Sequence, residues 1–271
     1  RVVLQDIWDP TVALRLIESQ RCTFTLAATP FLHGIVHHPE LASFDVSSLR
    51  LFGCGGADVP PALIRQAERW LGCPATRVYG STELPTLSTS PPDAPVDKRA
   101  GTDGRAIAAA EFRIVDDDDA QLPAGEVGEL LVRGPELFPG YLRDSDNDGA
   151  FTPDGWFRTG DLGVVDDDGY ICIHGRKKDI VLRGGENISV TEVENLLFEH
   201  PAVRDVAIVA MPDPVMVERA CAFVVAEPGT APGLAELTEF LRGKQLAAQK
   251  LPERLELVAE LPKTASGKIQ K

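Results

Sequence analysis

The sequence lacks the cysteine arrangement of a metal centre or of a disulfide framework. Its five cysteines are scattered along 271 residues, with no C-x-x-C pair and no histidine at the spacing of a zinc site. We therefore predict neither bound zinc nor disulfide bonds, and the odd number fits a reducing cytosol. The cysteines are Cys22, Cys54, Cys73, Cys172 and Cys221.

Positive charge and long apolar runs are also scarce. Lysine and arginine total 27 against 41 acidic residues, a net charge of −14, which argues against nucleic-acid partners and against adhesion to anionic lipid. No apolar run approaches the roughly 20 residues of a membrane-spanning helix, and the chain opens with RVVLQD rather than with a signal peptide. We expect a soluble, cytoplasmic protein.

The character of the chain changes along its length, which suffices for more than one folding unit. Residues 1–100 alternate predicted strands and helices, the pattern of an α/β sheet layer. Residues 101–177 carry short alternating apolar runs between turn-forming residues, which predict a small β-rich, barrel-like subdomain. Residues 178–271 have the helices and strands of a compact α+β unit. The predicted fold class is α/β and α+β, in several domains.

Local signals in the first 100 residues predict where several elements begin and end. Asp9, which precedes a proline, predicts a helix start, and Gly72 predicts the end of a later helix. Residues 22–28, CTFTLAA, predict a short buried strand by their β-branched and aromatic content. Thr29, which also precedes a proline, predicts a helix cap.

Two loops that follow predicted strands carry residues suited to a nucleotide. The first, GCGGA at 53–57, is a glycine-rich turn of a kind common in α/β proteins. The second, YGSTE at 79–83, follows the next strand, and α/β sheets bind ligands at the carboxyl ends of their strands. Tyr79 offers an aromatic face to adenine, Thr82 a hydroxyl to phosphate, and Glu83 an oxygen ligand to Mg²⁺.

The stretch from 155 to 189 orders its polar residues in a way that no hydrophobic core requires. Asp161 can accept two hydrogen bonds from a vicinal diol, and Arg176 can donate several to ribose or phosphate oxygens. The charged tripeptide at 177–179 follows a predicted strand and suits a hinge. The glycine pair at 184–185 would let the backbone approach a ligand where a Cβ would collide.

Four segments, in order, resemble the adenylate-forming enzymes and specifically the acyl-CoA synthetases. They are YGSTE at 79–83, GELLVRG with GYLRD at 128–144, the stretch at 155–189, and PKTASGK at 262–268. Such enzymes activate a carboxylic acid with ATP and Mg²⁺ as an acyl-AMP and pass the acyl group to coenzyme A. The resemblance implies that residues 1–177 end a large N-terminal domain and that 178–271 form a small, mobile C-terminal domain.

The resemblance also implies roles for individual residues. It assigns catalysis to Thr82 and Glu83, with Glu83 binding Mg²⁺, and to Lys268, whose ammonium would stabilise charge on the reacting carboxylate and α-phosphate. Lys178 is the expected hinge, about which the small domain would rotate between the two half-reactions. ATP or AMP is expected at Gly55, Gly56, Ala57, Tyr79, Gly80, Ser81, Asp161 and Arg176. The thioester step with coenzyme A is expected at Gly184, Gly185 and Glu186.

The chain departs from this family in having no Ser/Thr/Gly-rich phosphate loop that ends in Pro-Lys-Gly. Such a loop wraps the β- and γ-phosphates with backbone N–H groups. We therefore expect this chain to be the C-terminal half of an acyl-CoA synthetase and to be inactive by itself. A medium-chain, alicyclic or aromatic acid is favoured over acetate as the substrate.

Two alternative functions stay open. One is an adenylation domain that loads a carrier protein, although RGGENIS at 183–189 differs from the sequence usual after the hinge in such domains. The other is a non-catalytic, half-length protein that binds a nucleotide and serves as a regulatory subunit.

Overall fold

The structure is a computed structural model that describes residues 1–56, 58–264 and 269–271. The chain divides into two compact units. The first comprises Arg1–Thr159 and Gly163–Ile173, and the second comprises Gly160–Leu162 and His174–Lys271. The three-part division predicted from the sequence, with boundaries after 100 and 177, remains a prediction.

The first unit contains a five-stranded sheet and four helices. The strands are β1 Phe24–Ala28, β2 Leu51–Gly55, β3 Ala75–Tyr79, β4 Ser88–Thr89 and β5 Arg105–Ala106. The helices are α1 Pro10–Gln20, α2 Thr29–Val36, α3 Pro61–Leu71 and α4 Val96–Gly101. The strand order is β1-β2-β3-β4-β5, with β1 to β3 parallel and β4 and β5 antiparallel to their neighbours. The predicted α/β layer is confirmed.

The ends of α1 and α3 follow the local sequence. α1 begins after Asp9, whose Oδ1 accepts a hydrogen bond from Val12 N at 2.8 Å. α3 ends where Gly72 takes a left-handed φ of 69° and donates its N–H to Glu68 O. Both ends confirm the sequence-based predictions, because a cap depends only on residues within a few positions of it.

Two local predictions for β1 and α2 are wrong. β1 is not buried: Phe24 and Leu26, which alternate onto one face, are each 56% exposed, because the other elements of the described residues leave that face open to solvent. Thr29 is the first residue of α2 rather than its cap, and its hydroxyl donates to Asp58 O at 2.8 Å. The composition of residues 22–28 therefore predicted a strand correctly, but it did not predict whether other elements cover the face of that strand.

A second sheet consists of β6 Glu111–Val115, β7 Gly128–Arg133, β8 Phe157–Val165 and β9 Ile171–Arg176. Its order is β6-β7-β8-β9. The predicted β-rich character is confirmed, but within the described residues this is an open sheet rather than a barrel-like closed one. Its apolar side chains include Ile114, Leu130, Val132, Phe157 and Ile171.

A buried ion pair connects β3 with the segment before β5. Arg77 Nη2 lies 2.8 Å from Asp103 Oδ1, and the side chains are 6% and 7% exposed. Asp103 Oδ2 also accepts a hydrogen bond from Ile173 N at 2.8 Å, while Ser88 Oγ donates to Asp103 O at 2.8 Å. Pairing is required here because an isolated buried charge loses its hydration without compensation.

The second unit has an α+β fold, as the sequence predicts. Its elements are β10 Val181–Arg183, β11 Glu186–Ile188, α5 Val190–Leu197, β12 Val203–Asp213, β13 Val217–Ala226, α6 Leu234–Gly243 and β14 Arg254–Leu257. The strand order is β11-β10-β13-β12, and β14 pairs in parallel with β13. α5 begins where Ser189 Oγ accepts a hydrogen bond from Glu192 N at 3.3 Å. Among the described residues, no helix is long and apolar enough to cross a membrane.

Candidate functional site

The two predicted nucleotide loops lie at one edge of the first sheet. Ala28, Gly55 and Val78 are neighbours in register across the parallel strands β1, β2 and β3. The segments that follow these strands therefore leave the sheet at the same, carboxyl end. That edge is where α/β sheets bind their ligands, and it carries Gly55-Gly56 and the loop from Tyr79 to Glu83.

Three glycines at this edge have identifiable structural reasons. A Cβ on Gly55 would lie 2.2 Å from Val78 O, and one on Gly80 would lie 2.2 Å from Pro85 O. Gly56 has a φ of 80°, which favours glycine. Close backbone packing thus accounts for Gly55 and Gly80, and a left-handed φ accounts for Gly56. The predicted contact of these glycines with ATP or AMP stays a prediction. Ala57 lies outside the described residues.

Hydrogen bonds close the Tyr79–Glu83 loop on itself. Ser81 N donates to Leu84 O at 2.9 Å, and Leu84 N donates to Ser81 Oγ at 3.2 Å. Leu87 N donates to Tyr79 O at 2.9 Å, while the side chain of Thr82 is exposed. The loop lines a small cleft together with Leu84, Leu87, Val132 and Thr159.

Glu83 is held through both its backbone and its side chain. Phe138 N donates to Glu83 O at 2.8 Å, and the hydroxyl of Tyr141 donates to Glu83 Oε1 at 2.8 Å. Sequence analysis missed Tyr141 as a functional candidate, although GYLRD at 140–144 was one of the segments that carried the family resemblance. The sequence indicated both the segment and Glu83, but not that Tyr141 contacts Glu83.

The donor set at Glu83 fits Mg²⁺ held jointly with a nucleotide. Mg²⁺ is usually bound by one or two carboxylates plus water and substrate phosphates rather than by an all-protein cage. Glu83 supplies one half-buried carboxylate at the sheet edge, and no group of three or more His, Cys, Asp or Glu able to hold a metal occurs in the described residues. The metal would therefore depend on the phosphates.

Asp161 and Arg176, both in the second unit, contact each other. Arg176 Nε lies 3.2 Å from Asp161 Oδ1, and the two side chains are 43% and 10% exposed. Asp161 stands within β8, and Arg176 is the last residue of β9. The structure therefore brings together Asp161, predicted for the ribose diol, and Arg176, predicted for ribose or phosphate oxygens, with the carboxylate oriented by the guanidinium.

The predicted hinge residue lies in a short turn. Lys178 is exposed and is the central residue of the 3-10 turn Lys177–Asp179, between β9 and β10. The boundary between the compact units falls just before this turn, after Ile173. The location is compatible with a hinge, and the hinge itself remains a prediction.

Gly184 and Gly185 form the two-residue turn of the β10–β11 hairpin. Their φ values are 59° and 91°, and the paired residues on either side are Arg183 and Glu186. Two successive left-handed residues are what the favoured hairpin turn requires, so the glycines have a structural reason of their own. Glu186 is exposed at the start of β11. The predicted role of all three in the coenzyme A step is untested.

Lys268 lies outside the described residues, but the described residues before and after it are anchored. Gln270 N donates to Pro262 O at 2.9 Å. Lys263 Nζ lies 2.5 Å from Asp205 Oδ2, and Lys271 Nζ lies 2.6 Å from Glu194 Oε1. The catalytic role expected of Lys268 remains a prediction.

Comparison with known proteins gives matches along nearly the whole chain. The family model described as AMP-binding enzyme matches residues 1–142, more than half of the 271 residues. The model described as AMP-binding enzyme C-terminal domain matches residues 192–268.

Individual proteins agree with these matches. The medium-chain fatty-acid–CoA ligase of Escherichia coli (strain K12) is 43% identical over 273 residues, covering 100% of this chain and 48% of the ligase. The 2,3-dihydroxybenzoate-AMP ligase of Bacillus subtilis (strain 168) is 38% identical, covering 100% and 50%. The structure of the amide bond synthetase McbA from Marinactinospora thermotolerans superposes with a TM-score of 0.89 at 35% identity, covering 97% and 53%. This chain spans about half the length of these relatives.

Proposed function

Because the chain belongs to the AMP-binding enzyme family, we propose that it functions in the ATP-dependent synthesis of an acyl-CoA. A carboxylate attacks the α-phosphorus of ATP, which forms acyl-AMP and releases pyrophosphate. The thiol of coenzyme A then attacks the acyl carbon, which forms the thioester and releases AMP. The observation that supports this most is the loop from Tyr79 to Glu83, held at the carboxyl edge of β1 to β3 with its phenol, hydroxyl and carboxylate groups.

In the adenylation step, each residue has a role that its chemistry permits. The ring of Tyr79 stacks on adenine, and Asp161, oriented by Arg176, accepts hydrogen bonds from the ribose hydroxyls. Glu83 would hold Mg²⁺, which would supply positive charge to neutralise the pyrophosphate leaving group. The ammonium of Lys268 stabilises charge on the carboxylate and α-phosphate.

In the thioester step, we assign Lys178 as the hinge and the β10–β11 hairpin as the element that contacts coenzyme A. The turn Lys177–Asp179 is short and charged, and its central residue is exposed, so a change in its backbone dihedrals disrupts no core. A medium-chain or aromatic acid is the proposed substrate class, in agreement with the named specificities of the two ligases that resemble this chain.

A second candidate function is an adenylation domain that loads a carrier protein. It is favoured by the similarity to a protein named an AMP ligase, which is nearly as high as the similarity to the CoA ligase. In that case the acyl group of the adenylate passes to a carrier protein instead of to coenzyme A. Product analysis separates the two, because only the first function yields an acyl-CoA when coenzyme A is supplied.

The test is acid-dependent ATP–pyrophosphate exchange, with medium-chain fatty acids and aryl acids as substrates, by this chain fused to the N-terminal half of the Escherichia coli ligase that it resembles, because the chain by itself lacks the phosphate loop and is expected to be inactive. Lys268→Ala should abolish exchange, whereas Lys244→Ala should not, because Lys244 is a surface lysine paired with Glu199 at 2.5 Å. Exchange that survives Lys268→Ala would contradict the role of this lysine. Nucleotide binding without any exchange would favour the non-catalytic, nucleotide-binding function.

A further inference from the structure

Tyr141 contacts Glu83 from a segment 58 residues further along the chain. Its hydroxyl donates to Glu83 Oε1 at 2.8 Å, while Phe138 N donates to Glu83 O at 2.8 Å. The segment 138–141 thus holds both the carboxylate and the backbone of Glu83. We infer that Tyr141 is a positioning residue that orients the Glu83 carboxylate toward a metal-bound nucleoside triphosphate. This inference rests on the proposed function.

Tyr141 is itself fixed in place by its neighbours. Asn147 Oδ1 accepts a hydrogen bond from Tyr141 N at 2.7 Å, and Asn147 Nδ2 donates to Tyr141 O at 3.1 Å. The ring meets that of Phe138 edge to face, with centroids 4.8 Å apart and an interplanar angle of 69°. Gly140 has a φ of 134°, and a Cβ there would lie 3.0 Å from Asn147 Oδ1. Backbone and ring are both constrained, so the hydroxyl has a defined direction.

The chemistry of a phenol suits this task better than that of a basic side chain. A phenol donates a hydrogen bond without cancelling the charge of the carboxylate, whereas Lys or Arg in its place would offset the charge that attracts a cation. A carboxylate offers about four acceptor sites on two oxygens, so one neutral donor uses only part of its capacity. Removing the hydrogen-bond partner of a metal-ligating side chain typically weakens metal binding roughly 10–100-fold.

The test is the Mg²⁺ dependence of ATP binding by the 271-residue chain, measured by titration calorimetry. Tyr141→Phe keeps the ring and removes the hydroxyl. It should weaken Mg²⁺ affinity about tenfold and leave metal-free ATP binding unchanged, and added Mg²⁺ should restore full affinity for ATP. Asn147→Ala, which keeps the hydroxyl but releases the backbone of Tyr141, should give a smaller loss of the same kind.

Tyr170→Phe is the matched control, because it removes a phenol in the same unit whose ring packs over Lys98 and Arg105. Tyr170→Phe should bind ATP and Mg²⁺ with the same affinity as the parent chain. The thermal unfolding midpoint of each variant verifies that it folds.

Four results would overturn the inference. If Glu83→Gln loses the Mg²⁺ dependence while Tyr141→Phe keeps it unchanged, the role of Tyr141 falls and that of Glu83 stands. If Tyr141→Phe weakens metal-free ATP binding and added Mg²⁺ does not restore it, the tyrosine has a general structural role. If Glu83→Gln matches the parent chain, or the parent chain binds no Mg²⁺-ATP, the proposed function at Glu83 fails and the role of Tyr141 fails with it.

Discussion

Asp103→Asn should destabilise the first unit by about 3–5 kcal/mol, the cost of leaving a buried charge without its partner. The Arg77 guanidinium and the Asp103 carboxylate are 2.8 Å apart and almost inaccessible to solvent. Water therefore cannot hydrate the Arg77 charge once the carboxylate is removed. An asparagine oxygen can still accept the hydrogen bond from Ile173 N. The substitution therefore removes the charge of residue 103 and keeps this hydrogen bond. Most of the predicted loss therefore comes from stranding Arg77.

Urea unfolding monitored by tryptophan fluorescence measures this effect in the first unit. The chain has three tryptophans, and all of them lie in that unit, so unfolding of the second unit does not contribute to the signal. They are Trp8, Trp70 and Trp156. A change in midpoint at constant slope reports a change in the free energy of unfolding.

Asp97→Asn is the matched control. The Arg65–Asp97 pair is equally short, at 2.7 Å, but its side chains are 47% and 82% exposed, and exposed pairs contribute about 0–1 kcal/mol. Replacing both buried partners, as Arg77→Met with Asp103→Leu, should recover part of the loss. A loss below about 1 kcal/mol in Asp103→Asn, equal to that of Asp97→Asn, would refute the reasoning.

Two further predictions concern the backbone and the thiols. Val217 holds a φ of 69°, which costs about 1–2 kcal/mol, against about 0.5–1 kcal/mol for the freedom of a glycine. Val217→Gly should therefore raise hydrogen-exchange protection in β12 and β13. Val215→Gly, at a position without a positive φ, should lower this protection. Equal effects of the two variants would contradict the inference that Val217 is strained. Burial raises the pKa of the Cys54 thiol to about 12 and that of Cys172 to about 11, from 9.0. The stability contributed by the neutral thiols is complete below pH 9.0 and is lost as the pH rises through about 11 to 12. The urea midpoint of the parent chain should fall over this pH range more steeply than that of the double variant Cys54→Ala with Cys172→Ala. Parallel curves of midpoint against pH for the two proteins would contradict the raised pKa values.

The sequence predicted what depends on neighbouring residues. The cap at Asp9 and the helix end at Gly72 involve only a few adjacent positions, and both are confirmed. The carboxyl-edge position of the loop that starts at Tyr79 follows from alternating strands and helices, because parallel strands place their following loops on one side. The caps need no knowledge of distant parts of the chain, and the position of the loop needs only the strand–helix alternation.

Contacts between distant segments could not be predicted from the pattern. The exposure of Phe24 depends on which elements cover β1, and the bond from Tyr141 to Glu83 depends on how two distant loops meet. The glycine pair at 184–185 shows a further difficulty, because a glycine signal is the same for a ligand contact and for a hairpin turn. Only the φ values and the strand pairing distinguish the turn.

Binding of AMP to the 271-residue chain, measured by calorimetry without metal, tests the central claim most directly. We predict saturable binding with one site, weakened at least about tenfold in Tyr79→Ala and in Asp161→Asn and unchanged in Tyr170→Phe. Tyr79 and Asp161 are the residues proposed to contact adenine and ribose, so each variant removes one contact. No saturable binding, or equal affinity in all four proteins, would contradict the account.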